Sequence, residues 1–324
     1  MKVLIPNVAA QDNFADNVAF TLRAMGHEVV TAPRLTSASG SRVVNVVREL
    51  ATRAFPDRWS KAEQWAVAAA RAHRPDIVLC LTQALRDEVL ATLRDSGVRH
   101  LIAWWGDTPA NMARMGLLSR GWDRIFLKDK AGVQKFRAVG LPAEHLHEAM
   151  NPAWHRRLFS MTGEDVVVAG SCYGYRQFLS TTLLERGVPL AIYGPAPPAW
   201  SAPAIRAAHK GRFIVKDEKS RIFGEGLACL NSTALSEGDA LNCRAFEIAG
   251  ACGLQLIEDK PSVSECFEPG REVLVYRSVD EIAEHLARAR REPDWAMRIR
   301  QAGHDRAHAQ HTYEIRLRSI LAAV

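Results

Sequence analysis

Nearly continuous apolar runs alternate with helix-like stretches over residues 2–142, lapse over residues 151–162, and resume at Asp165. A run apolar at every position reads as a strand covered on both faces, as in a parallel sheet. Asp76-Ile-Val-Leu-Cys-Leu81 is the clearest case, and Val3-Leu-Ile5, Glu28-Val-Val-Thr31, His100-Leu-Ile-Ala-Trp-Trp105 and Trp122-Asp-Arg-Ile-Phe-Leu127 join it. Residues 13–25 carry Phe14, Val18, Phe20, Leu22 and Met25 at helical spacing, and residues 42–73 read as one or two amphipathic helices broken at Pro56.

The second half repeats the pattern. Strands are expected at Asp165-Val-Val-Val-Ala169, Leu190-Ala-Ile-Tyr193, Leu227-Ala-Cys-Leu-Asn231, Leu254-Gln-Leu-Ile257 and Glu272-Val-Leu-Val-Tyr276. Residues 242–250 read as a helix, and Ser278 with Glu281 as a capping box opening another. A chain of 324 residues exceeds what one core usually fills. The expected architecture is therefore α/β, with two facing, Rossmann-like, doubly wound parallel sheets. The expected boundaries are 1–155, 156–310, and a last helix at 311–324 packing back toward the N-terminal domain. Ligands of such sheets bind beyond the carboxyl ends of the strands.

Charge is uneven: residues 1–157 hold 22 Lys+Arg against 15 Asp+Glu, and the remainder 20 against 21. A basic half suits an acidic partner such as DNA or an anionic polysaccharide, although solvated helix faces also account for it. No apolar run reaches the ~20 residues of a membrane span. A strand-like run starting at Lys2 leaves no room for a signal peptide, so a cytoplasmic protein is expected. The six cysteines form no C-x-x-C pair, which points to reduced buried thiols. His304, His308 and His311 share a helix face and His145 and His147 a strand face, but nothing completes a zinc set, so no metal site is expected.

Chemistry concentrates at Glu237-Gly-Asp-Ala-Leu-Asn-Cys-Arg-Ala-Phe-Glu247. Free backbone N–H groups at a helix start suit a diphosphate, Arg244 adds a guanidinium fork, and Glu247 can accept from two vicinal hydroxyls. An i,i+3 pair between Arg244 and Glu247 is the structural alternative. Gly170-Ser171 ends a strand before a helix bearing Arg176, a second place for phosphate. Gly194 follows another strand and borders a base pocket or makes a turn. Lys219 and Arg221 read as an exposed helix start. In the N-terminal half, Asp107 is the candidate catalytic carboxylate for an acceptor hydroxyl, or else a helix cap. Trp105 is a stacking candidate, or core, and Asn7 and Asp12 follow the first strand, where acceptor contacts can arise.

Several motifs carry a resemblance: Asn242-x-Arg244-x-Phe246-Glu247, Phe267-Glu-Pro-Gly270, His311-Thr-Tyr313, Trp122-Asp-Arg-Ile-Phe-Leu-Lys-Asp129, Asn151-Pro-Ala-Trp-His155, Gly170-Ser171 with Arg176, and Ile192-Tyr-Gly-Pro195. In order and spacing they resemble group 1 glycosyltransferases, most closely the CgeB-like (spore maturation protein B-like) subset, over about residues 100–320. The resemblance implies a GT-B fold with an interdomain cleft and a nucleotide-diphosphate sugar, UDP-sugar first, on the C-terminal domain. It places donor contacts at Gly170, Ser171, Arg176, Gly194, Asn242, Arg244 and Glu247. In the family's Glu-x7-Glu motif Glu247 takes the second place, and Asp239, one methylene shorter, takes the first, with a catalytic role. Glu237 is a nearby substitute. Retention at the anomeric carbon is implied, and the lack of an Asp-x-Asp motif fits the fold's metal-independent habit. The acceptor classes open are polysaccharide, protein, metabolite and a modified DNA base. Two rivals remain: a sugar-nucleotide epimerase of the same fold, and a non-catalytic homologue that binds a nucleotide or partner.

Overall fold

The computed structural model describes residues 1–33, 59–83, 85–107, 118–160, 163–322 and 324. Most of the expected 42–73 helical stretch, through residue 58, lies outside them. The described residues fall into two compact units. Those within Met1–Trp105, Asn111–Phe126 and Gln134–Glu144 form one, and those within Gly106–Ala110, Leu127–Val133 and His145–Val324 the other.

The first sheet contains β1 (Lys2–Val8), β2 (Glu28–Ala32), β3 (Ile77–Leu81), β4 (His100–Trp105), β5 (Arg124–Leu127) and β6 (Ala143–His145), in the order β2-β1-β3-β4-β5-β6. The helices between them are α1 (Phe14–Ala24), α2 (Lys61–His73), α3 (Asp87–Asp95) and α4 (Lys130–Ala138). Strand β3 is buried at every position, as its unbroken apolar run requires. It pairs in parallel with β1 and β4. Asn13 caps α1 by accepting from the Asp16 N–H at 2.8 Å. Ser60 and Glu63 close a reciprocal capping box on α2.

The second sheet contains β7 (Val166–Ala169), β8 (Leu190–Tyr193), β9 (Ala228–Asn231), β10 (Gln255–Glu258) and β11 (Leu274–Tyr276). Its order is β11-β10-β9-β7-β8, and each neighbouring pair is parallel. Around it lie α5 (Gly174–Glu185), α6 (Pro203–Ala208), α7 (Lys216–Glu225), α8 (Cys243–Gly250), α9 (Pro261–Cys266), α10 (Val279–Arg291), α11 (Pro293–Gln310) and α12 (Tyr313–Ala322). From β7 the chain goes first to β8 on one side, then returns to β9 on the other. The topological switch point therefore lies between β7 and β9, where their carboxyl ends diverge.

A buried arginine ties this unit together. Arg300 on α11 donates to the carbonyls of Gly224 at 2.9 Å, Gly226 at 2.6 Å, Leu227 at 2.9 Å and Cys252 at 3.3 Å. These include carbonyls at the ends of α7 that no helical N–H can reach.

Sequence and structure differ in several places. The expected strand at residues 272–276 is limited to β11. Ser278 caps α10, but Glu281 reaches back to the N–H of Arg277 rather than to that of Ser278. The short elements β6, α6 and α9 were too brief to stand out in the sequence. No helix among the described residues is long and apolar enough to cross a membrane.

Candidate functional site

The second sheet's switch point collects the charged residues of the C-terminal half. Gly170 follows β7 with φ +119°, and Gly194 follows β8 with φ +145°. A Cβ on Gly194 would meet the Gly170 carbonyl oxygen at 2.5 Å, so the two strand ends approach more closely than any side chain allows. A Cβ on Gly170 would in turn meet Arg244 Nη2 at 2.7 Å and Arg176 Nη1 at 3.0 Å. Two guanidiniums therefore converge on one glycine.

Arg176 is only 4% exposed. It donates to Ser232 Oγ at 3.1 Å, to the Ser232 carbonyl at 2.6 Å and to the Ser171 carbonyl at 2.7 Å. Tyr173 lies under its guanidinium at 4.3 Å and donates its own hydroxyl to the Ser232 carbonyl at 2.8 Å. Arg176 thus bridges the diverging ends of β7 and β9 and is no solvated surface group. Burial, and then the neighbouring Arg244, lower its ionisation to about 10. Like charges so close leave room for an anion.

Helix α8 begins at the same place. Asn242 is its N-cap, accepting from Ala245 N–H at 3.2 Å and donating to Asn231 Oδ1, at the end of β9, at 3.0 Å. Glu148 Oε2 accepts from Cys243 N–H at 3.2 Å, so a carboxylate stands at the positive end of the helix. One turn on, buried Glu247 accepts from Lys219 Nζ at 3.0 Å, with His155 Nε2 at 3.7 Å. Burial works against ionisation of Glu247, but Lys219, His155 and Arg244 outweigh it and hold its carboxyl well below the usual range. Lys219 is 9% exposed. The expected exposed helix start is therefore corrected: α7 turns this lysine inward onto Glu247. Arg176 and Arg244, converging at Gly170, form a pair of like charges that suits a diphosphate.

The loop into α8 is staked at three points. Glu237 Oε2 accepts from Lys128 Nζ at 2.9 Å, and Lys128 is itself buried. Lys260 donates to the Gly238 carbonyl at 2.7 Å. Asp239 Oδ1 accepts from Ser262 N–H, at the start of α9, at 3.1 Å. Glu148, buried beside this group, is pushed up to about 7. Burial is the main cause; Lys128 opposes it, while Asp107, Glu247 and Glu237 add to it. Asp107 is exposed, near enough to be felt by both Glu148 and Lys128. Ser171 is exposed, with its carbonyl turned to Arg176.

In the first unit, the Asn7 amide spans the gap between β1 and β3. It donates to the Leu81 carbonyl at 2.7 Å and accepts from Leu81 N–H at 3.0 Å. Asp12 has φ +61°, donates its N–H to Asp16 at 2.8 Å and accepts from Asn17 Nδ2 at 3.3 Å. Trp105 ends β4 half-buried, and its Nε1 has no partner among the described residues. Three of the histidines weighed as metal ligands in the sequence donate to backbone carbonyls. His304 and His308 reach the Gly250 carbonyl at 2.7 and 3.1 Å, and His311 the Cys266 carbonyl at 2.8 Å.

Two parallel α/β units of this topology define a GT-B fold, and solved structures agree. The chain is similar to sucrose-phosphate synthase from Thermosynechococcus elongatus, at 13% identity over 100% of this chain and 99% of that one, with a TM-score of 0.67. It is also similar to Anabaena HepE in complex with UDP-glucose (8% identity, 100% of each chain, TM-score 0.65). A third is the lipopolysaccharide outer core galactosyltransferase WaaB (11%, 100% and 99%, 0.59). Residues 175–322 match a protein family described as glycosyl transferase-like. Fold and family match together support a glycosyltransferase family. No curated protein matches the chain significantly by sequence.

Proposed function

We propose that the chain transfers a sugar from a nucleotide-diphosphate sugar to a hydroxyl acceptor, with the donor on the C-terminal unit. The observation that carries this reading is the pair of guanidiniums, Arg176 and Arg244, closing on Gly170 at the switch point. They take the diphosphate; the first turn of α8, expected from the sequence to offer free N–H groups, is already occupied at Cys243 by Glu148 and at Ala245 by Asn242. Glu247, held ionised by Lys219, accepts the ribose hydroxyls, and Gly194 borders the base. HepE, which shares the fold, was solved in complex with UDP-glucose, so that donor is the first to test. Asp107 orients or deprotonates the acceptor hydroxyl, and Asn7, Asp12 and Trp105 of the N-terminal unit contact the acceptor. The arginines stabilise the departing diphosphate as charge develops on it. Retention and the CgeB-like grouping are part of this proposal.

The test begins with melting of the protein in UDP and UDP-sugars. A ligand at about 100 times its Kd stabilises by about 2.7 kcal/mol. Arg244→Gln is expected to abolish that shift. Asp107→Asn is expected to keep it and lower transfer by about 10²–10⁴-fold. No shift with any nucleotide sugar would overturn the donor assignment. One observation favours a second reading, a non-catalytic nucleotide-binding homologue: the Asp239 carboxylate is engaged with Ser262 N–H. Donor binding without transfer or hydrolysis, with every acceptor class tried, would select that reading.

A further inference from the structure

Glu148, three residues past β6, is only 6% exposed, and its carboxyl makes no ion pair among the described residues. Its Oε2 accepts from the N–H of Cys243, the first residue of α8, at 3.2 Å. Its Oε1 has no hydrogen-bond partner among the described residues. The groups that face it come from several places in the chain. Lys128 follows β5 and gives its ammonium to Glu237 at 2.9 Å. Asp107 follows β4, and Glu237 stands in the loop before α8. Glu247 comes from α8 itself and is satisfied by Lys219 at 3.0 Å. Arg244 acts on the Cys243 thiol as Glu148 does, and that thiol is pushed well above its ordinary range by burial, so it stays neutral. Asp107, Glu237 and Glu247 oppose ionisation of Glu148, and Lys128 favours it. Burial outweighs each of them, which is why this carboxyl keeps its proton to about pH 7.

The diphosphate seat lies against the same helix start. Arg244, the second residue of α8, reaches Gly170, and the cap Asn242 is tied to Asn231 at the end of β9. A sugar nucleotide on Arg176 and Arg244 brings a doubly charged diphosphate to the helix end whose first N–H Glu148 holds. An ionised carboxylate only accepts hydrogen bonds, and it repels that charge. A neutral carboxylic acid does both jobs: one oxygen still accepts from Cys243 N–H, and the hydroxyl on the other donates to a phosphate oxygen.

We infer that Glu148 is a binding residue of the donor site, acting as a neutral carboxylic acid that takes up a proton from solvent as the sugar nucleotide arrives and donates a hydrogen bond to its diphosphate. The inference rests on the donor reading above and adds a residue to it. It also fixes the sign of the pH dependence. Negative charge beside a carboxyl raises its ionisation further, so binding above about pH 7 takes up a proton and weakens as pH rises, by at most about tenfold per pH unit for one proton.

The test is titration calorimetry of the full chain with UDP-glucose, UDP-galactose and GDP-mannose. The diphosphate of each is esterified at both ends and does not titrate near neutral pH. For whichever of them binds, Kd is expected to rise about tenfold or more from about pH 6.5 to 8.5. At about pH 8, binding heats in Tris and in HEPES, which differ in ionisation heat, should report uptake of about half to one proton. Glu148→Gln keeps an acceptor and a donor but cannot titrate. It is expected to hold Kd within about twofold over the same range and to take up no proton. Binding by the wild type without proton uptake overturns the inference and leaves the donor reading standing, as does a pH dependence retained in folded Glu148→Gln. The wild-type buffer comparison decides even where the variant does not fold. Failure of all three sugar nucleotides to bind either protein at every pH overturns the donor reading, and this inference with it.

Discussion

At the scale of single residues, the site rests on buried charges whose partners lie far away in the sequence. Lys219 and Glu247 belong to different helices and meet at 3.0 Å away from solvent. Lys219→Met strands the carboxylate and is expected to cost about 3–5 kcal/mol in urea unfolding. The double change with Glu247→Gln should cost clearly less than the sum of the two single changes. Glu148 works the other way. Its folded ionisation, at about 7, lies above that of an unfolded carboxyl, so the folded chain holds an extra proton from about pH 4.5 to 7. The Glu148 contribution to stability therefore falls as pH rises through that window, opposite in sign to that of the buried histidines. Glu148→Gln, which keeps an acceptor for Cys243 N–H, is expected to stabilise the protein by up to about 3 kcal/mol at pH 8 and to change little at pH 4.5. Arg244, Glu247, Gly170 and Arg176 stood out in the sequence because each follows a strand or opens a helix, where ligand groups collect. Lys219 looked like surface because helix periodicity does not say which face a neighbouring helix covers. Glu148 carried no local signal, since its partner N–H is at residue 243.

At the scale of elements, the strands were legible wherever burial on both faces left an unbroken apolar run. β3, β4, β7 and β9 all carry such runs. Turns of helix as short as α6 and α9 were not, because six residues carry less than two helical periods. The end of α7 was equally hidden. What closes it is Arg300, more than seventy positions onward. Arg300→Met preserves bulk but leaves the carbonyls of Gly224, Gly226, Leu227 and Cys252 without this donor. The expected loss is about 3 kcal/mol or more by chemical unfolding. Arg300→Lys is expected to recover only part of it, since one ammonium cannot span four carbonyls as a planar fork does.

At the scale of the whole molecule, stability in mild acid is set by buried histidines. Burial first, and then His145, Arg316, His311 and Lys130, lower His147 to about 3. Burial, with Arg316 and Arg306, lowers His311 to about 4. Unfolded histidines take up protons near pH 6.5, whereas these do so only several units lower. The unfolded chain thus binds more protons between about pH 6.5 and 4, and stability falls as pH drops through that range. Urea midpoints taken from pH 7 to 4.5 should decline, and His147→Asn should flatten the decline. The parallel order of both sheets was readable from a repeated strand–helix rhythm, and structures with 8–13% identity keep the same fold. The rhythm constrains backbone path and leaves free the loops in which ligand contacts collect.

Arg176 and Arg244 close on one glycine. An electropositive seat of this kind does not distinguish a sugar nucleotide's diphosphate from any other compact oxyanion. Phosphate, sulfate and pyrophosphate in a storage buffer will compete for it. Apparent donor affinities measured in phosphate buffer should therefore be weaker than those in an amine buffer of equal ionic strength. Inorganic pyrophosphate alone should compete with UDP for the same seat.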